Sequence, residues 1–290
     1  MCAPDHFEVS YSINPWMRPD SWQQQSEVLG ARSSNGWRRL TEILRGLGAE
    51  LEMVPPALGL PDLVFTANAA VVLDGKALVA SFRYPQRQGE TKIYRRAFDL
   101  LKERGLLQEV LDMPDGMVLE GAGDCVWDPV RDRFWLGYGQ RSDKDAAALV
   151  KELFGFAVEP LRLVDPRFYH MDTCLCPLTG GEVLYYPNAF DAEGQAIIQD
   201  RFGADNLIAA PEADACGFAV NAINIGRDIV LATVTPDLRG RLEERGYRLH
   251  ETPISDFNLS GGSAFCLTLK LDRASGGRDI PSEQHLAAMA

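Results

Sequence analysis

Hydrophobic positions along this chain follow one arrangement five times over. An amphipathic stretch with helical spacing stops at a glycine and a short extended segment follows. A polar or glycine-rich patch then leads into apolar runs joined by turn residues. The helical stretches cover 22–48, 90–105, 144–155, 195–203 and 236–246, and Gly just past the last helical residue is the expected stop signal. The extended segments cover 50–54, 109–113, 157–164, 206–210 and 247–252. Four strand hairpins are predicted, in AAVVLDGKALVASF, DCVWDPVRDRFWLGYG, DTCLCPLTGGEVLYYP and NAINIGRDIVLAT, with tips such as Asp74-Gly75. A fifth, SAFCLTLKL, lacks its second run, and the N-terminal FEVSYSI is expected to supply it, closing a ring as propellers do.

That order has a geometric consequence. If the units surround an axis, the patch before each hairpin recurs at the same place in every unit. Those patches hold Asp62 and Asn68, Glu120 and Asp124, His170 and Asp172, Cys216 and Asn221, and Ser263 and Cys266. A single central site would collect them. Residues 1–290 read as one catalytic domain, with a Gly-, Ser- and charge-rich tail from about residue 273 expected to be peripheral.

Composition narrows the class. The chain has 290 residues, 46% of them hydrophobic, enough for a sizeable core, and a formal net charge of -12. That acidity argues against nucleic acid and anionic membrane surfaces, and it is compatible with a small cationic substrate. No apolar run approaches a membrane span and MCAPDHFEVS lacks the marks of a leader, so the cytoplasm is the expected compartment. Six cysteines are too few for a disulfide scaffold. Cys174 and Cys176 form a C-x-C pair that an alternating strand would place on one buried face. With no C-x-x-C and no close His pair, neither a metal nor a cofactor is expected.

Cys266 follows the Gly261-Gly262 pair, which permits a tight backbone approach, and it is the candidate nucleophile. His170 is the best-placed of the four histidines for acid–base work. Asp172, two residues on in an extended segment, would share its pocket. Glu120, flanked by Gly, reads as either a turn residue or a buried functional acid. Asp124 reads as a turn cap, and Asp62 could be an ordinary turn residue after Pro61. A Cys, a His and several carboxylates without a metal pattern suit a planar guanidinium, which carboxylates bind through paired hydrogen bonds.

At INPWM, LPDLVFTAN, LEGAGD, YHMDTC and GGSAFC the sequence resembles the guanidino-group-modifying superfamily of arginine deiminases, dimethylarginine dimethylaminohydrolases, amidinotransferases and arginine dihydrolases. The resemblance covers nearly the whole chain. It implies an α/β fold, the five-bladed, pentein-type α/β propeller of ββαβ units around a central channel. It implies Cys266 as nucleophile, His170 as the proton donor that later activates water, Glu120 holding the guanidinium and orienting His170, and Asp172 on the guanidinium. Arg87 and Arg141 look similar to arginines that clamp the substrate α-carboxylate, although either could be a surface charge. Asn68 stands where deiminases and dimethylaminohydrolases usually carry Asp, which together with INPWM looks more like arginine dihydrolases, with Asn14 assisting. The reading is therefore a cofactor-free hydrolase taking arginine to ornithine, carbon dioxide and two ammonia. Its rivals stop at citrulline, starting from arginine or a methylated arginine, or transfer to an amine. A silent arginine-binding sensor and a redox or metal protein built on Cys174 and Cys176 are the readings from other classes. Self-association is compatible with this size, but no stretch of sequence specifies it.

Overall fold

A computed structural model describes residues 1–276 of the chain. Four three-stranded sheets follow one another, each ordered as in the sequence. They comprise β1 (Ala70–Leu73), β2 (Lys76–Val79) and β3 (Glu109–Asp112); β4 (Cys125–Asp128), β5 (Arg133–Tyr138) and β6 (Ala157–Arg162); β7 (Leu175–Pro177), β8 (Val183–Tyr185) and β9 (Leu207–Ala209); and β10 (Ile223–Ile225), β11 (Asp228–Leu231) and β12 (Arg248–Glu251). In each sheet the first two strands form an antiparallel hairpin and the third lies parallel to the second. A parallel neighbour requires a crossover. Helices Glu90–Glu103, Ala146–Phe154, Ala192–Phe202 and Pro236–Glu243 supply it, where the glycine-stopped amphipathic stretches predict them.

The fifth unit departs from the sequence expectation. Its helix is Ser26–Gly46, preceded by the short Pro19–Gln23. The following segment makes a single parallel bridge, Cys2 to Val54, supported by Val54 N–H donating to Met1 O at 2.8 Å. Parallel pairing to the unit's last segment is the role the second hairpin strand plays elsewhere, so the first residues close the ring and FEVSYSI forms no strand. SAFCLTLKL forms none either. Leu267 N–H donates to Ser263 O and Thr268 N–H to Phe265 O, while the amides of Ser263 and Cys266 bond to the Asn221 side chain. Local turn bonds and a side chain occupy the amides that a ladder would need.

Closure is visible in the packing. Five buried clusters each span two neighbouring units, the last joining the fourth sheet to Phe7, Trp22, Leu40, Phe257 and Cys266. Adjacent strand residues alternate between clusters, as Val71 and Val72 do, and Ile229 and Val230. Each sheet is therefore covered on both faces, which accounts for the nearly continuous apolar runs of its strands. The α/β propeller expected from the sequence is the architecture observed.

Two local expectations change. Cys174 and Cys176 are both buried, but they belong to different clusters. Cys174 lies in the turn before β7, at ψ -1°, so strand alternation does not apply to the pair. Residues 273–276, the start of the expected tail, are bonded into the propeller: Asp74 N–H donates to Arg273 O, and Gly276 N–H to Asp132 Oδ1. The rest of the tail lies outside the described residues. Among the described residues no helix is long and apolar enough to cross a membrane.

Candidate active site

The recurring patches open on short helical turns, Pro61–Val64 and Thr66–Ala69, Gly121–Asp124, Met171–Thr173, Glu212–Cys216 and Ser255–Ser260, and the first four patches lead into hairpins. Hydrogen bonds join all five units into one circuit. Asn68 Nδ2 donates to Glu120 O at 3.3 Å, and Glu120 Oε2 lies 2.7 Å from His170 Nε2. Asn221 Nδ2 donates to Asp172 O and to Cys266 Sγ, both at 3.1 Å, and Ala67 N–H donates to Cys266 O at 3.1 Å. Glycines allow this convergence. A Cβ at Gly123 would lie 2.0 Å from Asn68 Nδ2 and 3.4 Å from His170 Nδ1, and one at Gly262 would lie 2.4 Å from the Phe65 ring. The single central collection point expected from the repeat is therefore present.

Cys266 is buried, and its thiol donates to Asp172 Oδ2 at 3.1 Å. Burial pushes this thiol well above its usual range, and the neighbouring Asp172 carboxyl pushes the same way. Burial also raises Asp172, to about 7, against the opposing bonds from Cys266 and Asn221. Its second oxygen, Oδ1, is buried with no hydrogen-bond partner among the described residues. Residues 171–173 are not the extended segment expected after His170. Met171–Thr173 is a 3-10 turn, whose rotation sends Asp172 to the sulfur and His170 to Glu120.

Glu120 is fully buried and receives Arg83 N–H at 3.1 Å, Arg141 Nη1 at 3.1 Å and His170. Burial alone would raise its carboxyl, but the Arg141 cation and His170 outweigh it and hold the group well below the usual carboxylate range. The Arg141 guanidinium lies between the rings of Tyr84 and Tyr169, 4.7 and 4.4 Å from their centroids, and also donates to Ile13 O. Asp124 caps not its own turn but that of the next unit, accepting from Met171 N–H, and it holds Ser142 at 2.6 Å. Burial raises it to about 6.

Arg87 is buried and donates two bonds of 2.8 Å to Glu90, one of 2.9 Å to Asn68 Oδ1 and one to Asp62 O. Neither Arg87 nor Arg141 is a surface charge, and both spend donors on protein acceptors. With its oxygen taken by Arg87, Asn68 turns its nitrogen toward His170 Nδ1, at 3.5 Å. Asp62 accepts from Tyr11 and Ser260, and Asn14 donates to Ser260 O at 3.0 Å, so both brace the loop leading to Cys266. Cys216, in the fourth patch, stays outside the circuit beside Arg167. The sequence placed Asn221 in a patch without giving it a role, and it did not single out Glu90 or Ser142. That patch position was the signal available for Asn221. Among the described residues, no group of three or more His, Cys, Asp or Glu is placed to hold a metal.

The chain is 40% identical over 271 residues to the bifunctional arginine dihydrolase/ornithine cyclodeaminase ArgZ of Synechocystis, covering 93% of this chain and 37% of that one. It thus spans just over a third of that relative's length. It is 33% identical to the N(G),N(G)-dimethylarginine dimethylaminohydrolase of Mycobacterium tuberculosis, covering 93% of this chain and 84% of that one. A crystal structure of the N-terminal domain of ArgZ, in a substrate-bound variant, superposes with a TM-score of 0.87 at 39% identity, covering 94% of this chain and 97% of that one. Residues 3–273 match the family model described as N,N dimethylarginine dimethylhydrolase, eukaryotic, and the chain belongs to that family.

Proposed function

We propose that this chain hydrolyses the guanidinium carbon of arginine through a covalent adduct on Cys266, in two rounds that yield ornithine, carbon dioxide and two ammonia. Asp172 carries the reading. A buried carboxylate oxygen without a partner, beside a thiol, is an acceptor for a guanidinium N–H adjacent to the attacking sulfur. The charge balance agrees, since Asp62, Glu90, Glu120, Asp124 and Asp172 outnumber Arg87 and Arg141 among the buried charges of the site. The thiol is neutral when paired with Asp172, and a guanidinium brought against that carboxylate supplies the cation that favours thiolate. The thiol loses its proton to solvent as the cation binds, and the thiolate attacks the central carbon. His170, held by Glu120, gives a proton to the departing ammonia and takes one from the water that releases citrulline. Arg87 and Arg141 act through Asn68 and Glu120, and residues 1–290 act as one catalytic domain.

The second round distinguishes the dihydrolase from a one-step enzyme, and Asn68 is the residue we assign to it. Asp at that position would be left poorly paired against a neutral urea, whereas Asn can both donate and accept. Asn68→Asp and Asn68→Ser are expected to lower ornithine formation at least about 10-fold and to accumulate citrulline, read by amino-acid analysis. Unchanged ornithine output would remove Asn68 from this role. The 33% identity to the dimethylaminohydrolase supports a second reading, a single hydrolysis of arginine or methylated arginine to citrulline. Citrulline or dimethylamine as the end product, with no ornithine, would establish it.

The pH dependence follows from Asp172. A carboxyl raised to about 7 loses its charge as the pH falls through that value. The kcat/KM for arginine, which reports the free enzyme, should therefore decline below about pH 7. A profile flat down to pH 5 would mean that Asp172 does not meet the cation.

A further inference from the structure

Asn221 is the member of the circuit to which the function above gives no role, and all of its polar atoms are engaged. The residue is fully buried. Its Oδ1 accepts from Ser263 N–H and Cys266 N–H, both at 3.1 Å, and its Nδ2 donates to Asp172 O and Cys266 Sγ, both at 3.1 Å. The orientation of the amide admits one solution. Two backbone N–H groups must meet an oxygen, so the nitrogen must face the carbonyl and the sulfur. Its backbone is fixed as well, with Asn221 N–H donating to Phe218 O and Phe265 N–H donating to Asn221 O, both at 3.1 Å.

The turn that delivers Asn221 is strained. Phe218 has φ 61°, a region that a bulky residue rarely enters. It is held there by full burial, by its ring 5.0 Å from that of Trp16, and by its N–H donating to Ala215 O. Strain of this kind persists where the surroundings over-determine it, and here it sits three residues before the amide that touches the sulfur.

We propose that Asn221 is a catalytic residue: its amide nitrogen holds the Cys266 sulfur as the anion forms, while its amide oxygen fixes the loop that carries the sulfur. The proposal rests on Cys266 being the nucleophile. An N–H bond to neutral sulfur is weak, and the same bond to a thiolate is charge-assisted and roughly twice as strong as a neutral bond, so the contact favours the anion. The titratable groups facing the thiol are Asp172, at 3.1 Å, and the buried Tyr169. Neither is a cation, so charge on the sulfur is favoured by two neutral donors, the Ser263 backbone amide and the Asn221 side-chain amide, and Asn221 positions both because its oxygen holds the Ser263 N–H.

The test is the pH profile of alkylation at Cys266 by iodoacetamide, followed by peptide mass spectrometry on the intact 290-residue chain. In Asn221→Ala the midpoint should move upward by about one pH unit, with kcat for arginine falling more than KM rises. A purely structural role predicts the opposite sign, because a loosened loop hydrates the thiol and lowers its midpoint. An unmoved or lowered midpoint in Asn221→Ala overturns the proposal. If that variant does not fold, Asn221→Ser, which adds no charge beside the sulfur, takes its place under the same criterion. An upward shift in a protein that turns over no guanidino compound would sink the function proposed above and leave the role of Asn221 standing.

Discussion

Replacing Cys266 by serine is expected to lower ornithine formation from arginine by at least about 10⁴-fold while arginine still binds. The loss follows from the chemistry of the replaced atom. A serine hydroxyl in the same place is a far weaker acid than the thiol, so Asp172, even raised to about 7 by burial, cannot take its proton to form the anion that attacks. Binding should survive because the bonds that shape the site do not depend on sulfur. Asn221 Oδ1 holds the backbone amide of residue 266, and Asp172 and the Asn221 amide nitrogen can bond to an oxygen as they do to the thiol. The measurement combines calorimetric titration with arginine and mass spectrometry of protein quenched during turnover. Wild type should carry an adduct at Cys266 with one ammonia lost from the substrate, and the variant should carry none. Residual turnover within about 10-fold of wild type would mean that the thiol does not form the bond.

The second large effect pairs activity with stability. Asp172→Asn should reduce kcat/KM for arginine by at least about 10³-fold, because it removes the charge that receives the guanidinium. It should also make the protein more stable at pH 8. A carboxyl whose folded value lies near 7, above its unfolded value, disfavours the folded state once it is ionised. The cost is absent where both states bind the proton, below about pH 4, grows as the pH rises, and reaches about 4 kcal/mol above pH 7. The neutral amide keeps an oxygen for the thiol and carries no such cost. The gain in melting temperature should thus be at least about twice as large at pH 8 as at pH 5. Equal gains at both values would show that burial of the charge is not the source. A residue that lowers stability at working pH and stays buried beside the nucleophile is what a binding site for a cation demands.

How much of this was legible in the chain depends on the range of the interaction concerned. The hairpin tips, the glycine-stopped helices and the recurrence of both are local, and they place Glu120, His170 and Cys266 at equivalent points of the second, third and fifth units. The direction of Asp172 was not legible, because an extended segment and a 3-10 turn differ by a backbone choice that YHMDTC leaves open. Nor was the irregular fifth unit, since the amides of Ser263 and Cys266 leave the ladder for a side chain more than forty residues away. Arg87 illustrates the same limit. Glu90, three residues on, is visible in the sequence, but that the ion pair lies fully buried with its free edge on Asn68 is a product of packing.

The amino-acid order alone determined the number of units, their internal order and the kind of chemistry collected between them, since turn residues, apolar periodicity and residue type act within a few positions. Tertiary structure decided which atoms meet. Closing the ring buries both faces of every sheet and presses five turns together, and only then do Asp172 and Asn221 converge on one sulfur while Glu120 takes His170. Desolvation in that closed centre sets the protonation of the thiol and the carboxylates, and burial is a property of the assembled molecule that no single segment carries.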